Sequence, residues 1–324
     1  MTTLRAVTRV AADSGFRPEV VEKVLHLRGI LQRLDRHPTT RGAWLLKGGT
    51  ALNLLHLDIP RLSVDIDLNF VGAADLEGMQ AARPEFEAAL ASVCEREGCT
   101  IRRAPGEHAG GKFRMRYASV LGGSQNLEVD VSYVARVPLL GTERLATRFP
   151  ADNPIEVPTL TLLELAAGKF TALVQRTVAR DAFDAANLLR LAPGLIQDLR
   201  FRLAFACSVA GSRVDPRHLH TPDRAPELVA VKQQLLPMLR RRADDSVPDS
   251  AELRDWIGRQ LEAAVNRLLD WSAAEVHFLD RLQDDGVIEA EALHSDPEIQ
   301  DRVRAQPMLQ WKALNIRKFR QGDV

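Results

Sequence analysis

Lys47-Gly48-Gly49-Thr50-Ala51-Leu52 and, shortly after it, Arg61-Leu62-Ser63-Val64-Asp65-Ile66-Asp67-Leu68 decide the fold. The first stretch reads as a glycine turn that opens a short helix. Its glycines let the main chain approach a polyphosphate, and the helix start offers N–H groups to it. The second reads as a strand. Side chains alternate along a strand, so Asp65 and Asp67 share one face while Val64, Ile66 and Leu68 share the other. The apolar face is expected to pack under a helix and the carboxylates to stay open. Two carboxylates this close repel, and a divalent cation relieves the repulsion. Beside a triphosphate-binding turn the expected ion is Mg²⁺, with Mn²⁺ as the alternative. If the strand begins early, Arg61 and Ser63 join the face of Asp65 and Asp67. They are then nucleotide-binding candidates together with Lys47, Gly48, Gly49 and Thr50.

Upstream, residues 1–40 read as two helices separated near Ser14-Gly15. Pro18 sits in the first turn of the second, and Val20, Val21, Val24, Leu27, Ile30, Leu31 and Leu34 recur at helical spacing. The opposite face carries Arg28, Arg33 and Arg36, either as a solvated face or as a phosphate-contacting edge. Downstream, Trp44-Leu45-Leu46 predicts a strand entering the glycine turn, residues 75–97 a helix, and 99–103, 112–120 and 126–134 three strands. In the last of these Leu127, Val129, Val131 and Tyr133 face one side; Glu128, Asp130 and Ser132 face the other. That polar face would bring a third carboxylate to Asp65 and Asp67, and alternation alone does not separate Asp130 from Glu128.

Beyond Pro158 the pattern is helical. Thr159-Leu160-Thr161 is expected to begin a helix through Lys169 toward Arg176, followed by Arg180-Asp181-Ala182-Phe183-Asp184. Further helices are expected at 194–210, 224–241, 250–268, 272–284 and 307–320. The end of the chain carries Arg302, Arg304, Lys312, Arg317, Lys318 and Arg320 with Trp311 and Phe319 interleaved and no acidic residue between 302 and 320. This suits a nucleic-acid backbone, and equally an amphipathic helix packing Leu309, Leu314 and Ile316. His218 and His220 lack a companion metal ligand and read as a loop feature.

The Gly-Gly turn followed by Asp-apolar-Asp-apolar resembles the nucleotidyltransferase superfamily of DNA polymerase beta and the CCA-adding enzymes. The fuller string, Gly48-Gly49-Thr50-Ala51-Leu52 with Arg61-x-Ser63-x-Asp65-Ile66-Asp67-Leu68, is similar to the AbiEii/AbiGii toxin family, which includes the MenT toxins. The spacer from Gly49 to Asp65 is longer than in the broad superfamily pattern and suits this branch. The resemblance selects Asp130 over Glu128 as the third metal carboxylate and assigns Lys169 to the triphosphate. It adds Asp184 to the catalytic set; the alternative for Asp181 and Asp184 is pairing with Arg180 and its neighbours to fix a helix junction. It further implies transfer of a nucleoside monophosphate from an NTP to the 3′ end of tRNA, with pyrophosphate as the leaving group. The chain would then be the toxin of a toxin–antitoxin or phage-defence system with a cognate antitoxin. Ser63 is a candidate for regulatory phosphorylation, because a phosphate there places extra negative charge beside two carboxylates.

Composition sets the outer limits. The chain has 324 residues, 45% of them hydrophobic, enough for a sizeable core and more than one domain. The expected organisation is α+β: N-terminal helices (1–40), a nucleotidyltransferase core with a small mixed sheet and flanking helices (41–158), and a largely α-helical part (159–324) that completes a nucleotide cleft. No apolar run approaches a membrane span and the start lacks a signal-peptide pattern, so a cytoplasmic location is expected. Cys94, Cys99 and Cys207 are an odd number without metal-ligand spacing, consistent with buried thiols in a reducing compartment. With 43 basic and 43 acidic residues, any nucleic-acid partner has to be held by a local patch. Two rival functions stay open: a transferase of the same fold acting on a small molecule or a protein hydroxyl, and a catalytically silent module binding a nucleotide or a partner.

Overall fold

The computed structural model describes residues 2–103, 110–176, 178–219, 225–241 and 246–321. His220 and the run 242–245, which holds Arg242, Asp244 and Asp245, lie outside the described residues. The chain forms two compact units, one of Met1–Arg136, Thr142–Leu160 and Lys232–Ser250, the other of Val137–Gly141, Thr161–Val231 and Ala251–Val324.

The first unit begins with α1 (Leu4–Ser14) and α2 (Pro18–Arg36). Thr3 caps α1 through its hydroxyl, and Gly15 ends it in the left-handed region. Strand β1 (Trp44–Lys47) runs into α3 (Gly48–Ala51), which continues as a π-helical turn over Leu52–His56. Then follow β2 (Ile66–Phe70), α4 (Leu76–Arg96), β3 (Cys99–Arg103), β4 (Gly110–Ala118), β5 (Ser124–Ser132), β6 (Thr142–Ala146) and β7 (Glu156–Leu160). The strands form one seven-stranded mixed sheet in the order β3-β4-β5-β2-β1-β7-β6. β2 is antiparallel to β1 and parallel to β5, while β7 is parallel to β1.

Period-two alternation gives this sheet two unlike faces. Trp44, Leu46, Leu68, Phe70, Val129, Val131 and Tyr133 are buried. Phe70 meets Phe86 of α4 edge-on, with ring centroids 5.1 Å apart, so α4 covers this side. His26 of α2 lies 4.2 Å from the ring of Tyr117, putting α2 on the same side. The other face carries Lys47, Asp67, Asp130 and Lys112 in register.

Four departures from the sequence reading have local causes. The strand β7 passes through Pro158, where the sequence suggested an end to the core. Its pairing with β1 is confined to Leu46↔Thr159, so the missing N–H costs little ladder. Strand β6, outermost in the sheet, went unforeseen because its mostly exposed residues show no alternation. The expected helix at 224–241 is instead α8 (a single turn, Leu228–Ala230), a π turn and a 3₁₀ turn containing Pro237. The chain then bridges Leu239 to Arg61, and residues 232–241 and 246–250 cluster with the sheet and not with the helices. The helix expected from Thr159 begins only at Leu162, with Thr161 as its N-cap residue.

The second unit contains α5 (Leu162–Gln175), α6 (Ala179–Leu191), α7 (Leu199–Ala210), α9 (Ser250–Leu268), α10 (Ala273–Asp285), α11 (Pro297–Arg304) and α12 (Pro307–Gln321). Asp198 caps α7 by accepting from the N–H groups of Arg200 and Phe201, which moves its start past the expected residue 194. α11, not foreseen, has the Asp296-Pro297 start that favours a helix. Among the described residues no helix is long and apolar enough to cross a membrane. All three cysteines are buried and free.

Candidate active site

The row Lys112–Asp130–Asp67–Lys47 crosses four adjacent strands. Lys47 on β1 is opposite Asp67 on β2, Asp67 is opposite Asp130 on β5, and Asp130 is opposite Lys112 on β4. Neighbouring strands lie about 4.8 Å apart, so the two carboxylates are close neighbours. Like charges in such a position destabilise a sheet, and here a lysine flanks the pair on each side. Lys112 Nζ lies 3.8 Å from Asp130 Oδ2 and 3.2 Å from Glu128 Oε2. Burial pulls the Lys47 ammonium below its ordinary pKa, and the charges of Asp67 and Asp130 oppose that drop.

Register separates the two carboxylates that alternation left equivalent. Asp130 pairs with Asp67, whereas Glu128 sits two residues back along β5, with Arg114 Nε at 2.9 Å.

Gly48 is required by contact as well as by conformation. Its φ is +70°, and a Cβ built there would stand 2.3 Å from Asp67 Oδ2. The carboxylate of Asp67 therefore lies directly against the main chain of the glycine turn. Thr50, fully buried, donates its hydroxyl to the main-chain oxygen of Asp65, tying α3 to the residue just ahead of β2. Asn53 donates from Nδ2 to Gly49 O at 2.9 Å and braces the same turn. Lys112 and Asn53 were missed by sequence reasoning. Lys112 could have been found from the β4–β5 hairpin register, but Asn53 carries no motif.

The strand does not begin early. β2 starts at Ile66, so the alternation that would align Arg61 and Ser63 with Asp65 and Asp67 does not extend to them. Both are buried, Arg61 at 2% and Ser63 at 6% exposure, and Arg61 forms the main-chain bridge to Leu239.

Lys169, in the second unit, is held by carboxylates. Its Nζ lies 2.8 Å from Asp181 Oδ1 and 3.1 Å from Asp184 Oδ2, and Arg176 reaches Asp181 Oδ2 at 3.3 Å. The helix is not continuous, since α5 ends at Gln175 and α6 starts at Ala179. The chain turns back so that Asp181 and Asp184, one helical turn apart, both meet Lys169.

The basic end of the chain is largely occupied by local partners. Arg302 pairs with Glu298, Arg304 with Glu291 and Asp301, and Arg320 with Asp285. Lys312 donates to Ser212 O at 3.2 Å and Arg317 to Gly286 O at 2.7 Å. Trp311 and Phe319 are 50% and 76% exposed.

Asp67 and Asp130 supply hard oxygen donors on one face, a donor set that fits Mg²⁺. Asp65, two residues before Asp67, has its main-chain oxygen fixed by Thr50. Among the described residues no three His, Cys, Asp or Glu side chains are gathered closely enough to hold an ion as they stand.

A glycine turn set against paired carboxylates on a mixed sheet defines a nucleotidyltransferase-type core. The family model described as nucleotidyl transferase AbiEii toxin, type IV toxin–antitoxin system, matches residues 29–286. The chain belongs to this AbiEii nucleotidyltransferase toxin family. Among solved structures it is similar to MenT4, a nucleotidyltransferase toxin from Mycobacterium tuberculosis H37Rv. That likeness has a TM-score of 0.57 at 17% identity and covers 94% of this chain and 99% of the other, showing a shared fold. No curated protein matches the chain in sequence.

Proposed function

We propose that the protein transfers a nucleoside monophosphate from an NTP to the 3′ end of tRNA, acting in the cytoplasm as a toxin restrained by a cognate antitoxin. The observation that carries this reading is the register of Asp67 with Asp130 beside Gly48, whose lack of a side chain leaves room for the Asp67 carboxylate. In the reaction the acceptor oxygen bonds to the α-phosphorus as the bond to pyrophosphate breaks. Asp65, Asp67 and Asp130 would hold Mg²⁺, or Mn²⁺, which supplies positive charge to the phosphate oxygens. The main-chain N–H groups of the Gly48-Gly49 turn bind the polyphosphate and orient it. Lys47, already set beside both carboxylates, adds positive charge against the developing negative charge. The resemblance to the family implies a catalytic role for Lys169 and Asp184, which stand with Asp181 in one ion-paired cluster of the second unit. Blocking the tRNA end would stop translation, which suits a toxin or a phage-defence role.

Purified protein is incubated with total tRNA and each labelled NTP separately, beside Asp67→Ala and Asp65→Ala. The expected result is label on tRNA with one nucleotide, lost in both variants while their melting curves stay cooperative. Label on a small molecule or a protein in place of RNA assigns another acceptor. Full activity in both variants ends the carboxylate reading.

A further inference from the structure

On the helix-covered side of the sheet, away from the carboxylate row, α2 borders a cavity of about 310 Å³. It lies within the first unit. Arg28, Gly29, Gln32, Arg33 and Arg36 of α2 line it, with Glu97 and Asn153 opposite. These α2 residues recur at three- and four-residue spacing and form one stripe of the helix.

The chemistry of the lining is uneven. Arg28 is only 5% exposed and donates from Nη2 to the main-chain oxygen of Asn153. Its Nε is buried and finds no acceptor. A buried donor without an acceptor is costly, and for a guanidinium the cost is larger still. Arg33 is compensated by Glu97, with Nε 3.0 Å from Oε2. Glu97 also meets His26 at 3.5 Å, and its carboxyl group lies over Gly29, where a Cβ would come within 2.5 Å of it. Arg36 makes no ion pair or hydrogen bond among the described residues. Asp152, the carboxylate whose charge acts on Arg28, is engaged by Arg9 at 2.7 Å. Three guanidinium groups thus face one lining carboxylate, and the Nε of the most buried of them lacks an acceptor.

We propose that this cavity binds a phosphate group, carried by a mononucleotide or by a polynucleotide chain, at a site separate from the carboxylate row. A tetrahedral oxyanion in the cavity offers a counter-charge for Arg28 and Arg36. Guanidinium forks match phosphate geometry in a way an ammonium does not. The volume lies at the lower end of the range for small-ligand sites, which suits a nucleotide-sized group. The site does not depend on the transfer reaction, since none of its residues is on the face of Asp67 and Asp130.

Binding of inorganic phosphate, of nucleoside monophosphates and of a 5′-phosphorylated single-stranded RNA octamer is measured by calorimetry at low salt with chelator present. Wild type is compared with Arg28→Gln, Arg36→Gln and Asp67→Asn, with circular dichroism as a check of folding. The expected result is saturable binding of at least one of the three, weakened roughly tenfold by each arginine substitution and unchanged in Asp67→Asn. Arg36 is exposed, so its variant keeps the test decisive if Arg28→Gln fails to fold. Tighter binding of the octamer than of free phosphate assigns the phosphate to RNA; the reverse assigns it to a small molecule. The proposal is overturned by no saturable binding in wild type, by equal affinity in the arginine variants, or by equal loss in Asp67→Asn.

Discussion

Gly48 shows how one atom sets a site. Its φ of +70° already favours glycine, and the carboxylate of Asp67 fills the place of a side chain. Gly48→Ala is therefore expected to lower stability by about 1–2 kcal/mol and to abolish transfer, read by denaturant titration beside the tRNA-labelling assay. Gly168 is the contrast. It is exposed within α5, and a Cβ there would meet nothing within 4 Å. Gly168→Ala should raise stability by about 0.5–1 kcal/mol in the same titration. Lys169 is the second decisive residue. Asp184 is fully buried and Asp181 nearly so, and the lysine that compensates them is 8% exposed. Lys169→Met removes the ammonium that pairs with both buried carboxylates. The expected loss is about 3–5 kcal/mol, and an unchanged denaturation midpoint would remove the cluster from the stability of this unit.

At the scale of elements, α5 carries one acid, the half-buried Glu164. Glu164 in its first turn accepts the N–H groups of Leu139 at 3.1 Å and Leu140 at 2.9 Å. Burial pushes its pKa up from 4.5 to about 7, against those two hydrogen bonds and the charge of Arg302. Between pH 4.5 and 7 the folded state then holds a proton that the unfolded chain has released. Its contribution to stability is complete below the lower value and is lost as pH rises through the upper one. Glu164→Gln cannot titrate and should flatten this fall. Urea denaturation at pH 5 and pH 8 checks it, and equal pH slopes for both proteins would show that Glu164 titrates normally.

Across the whole molecule charges cancel, so salt-dependent RNA binding has to come from local clusters. The basic end of the chain is one such cluster, but its members differ. Lys312 and Arg317 fasten α12 to main-chain oxygens of Ser212 and Gly286, and reversing them would disturb packing. Lys318 makes no ion pair among the described residues, and Arg320 is 59% exposed in its pair with Asp285. Lys318→Glu should leave the melting curve unchanged and reduce the slope of log affinity against log salt by about one, if this end contacts the tRNA backbone. An unaltered slope in filter binding assigns α12 to packing.

The chain by itself determined what depends on near neighbours. The glycine turn, the alternation that separates Asp67 from Ile66 and Leu68, and the amphipathic stripe of α2 all follow from periods of 2 and 3.6 residues. Helix starts are as local, yet α5 and α7 begin later than their patterns suggested and α11, with its Asp296-Pro297 start, was not expected. Tertiary structure decided what depends on distant segments. The register of β2 on β5 chose Asp130 over Glu128 as the partner of Asp67, because alternation defines a face and not a position along it. The bridge of Leu239 to Arg61 joins residues 232–241 to the sheet, overriding a helical pattern already weakened by Pro237. The return of α6 on α5 turned Lys169, Asp181 and Asp184 from a line of charges into one buried cluster. On α2, the sequence placed Arg28 on a polar face beside Arg33 and Arg36. Only packing made it a buried cation with an unused donor, because burial depends on what covers a helix and the helix alone does not encode that.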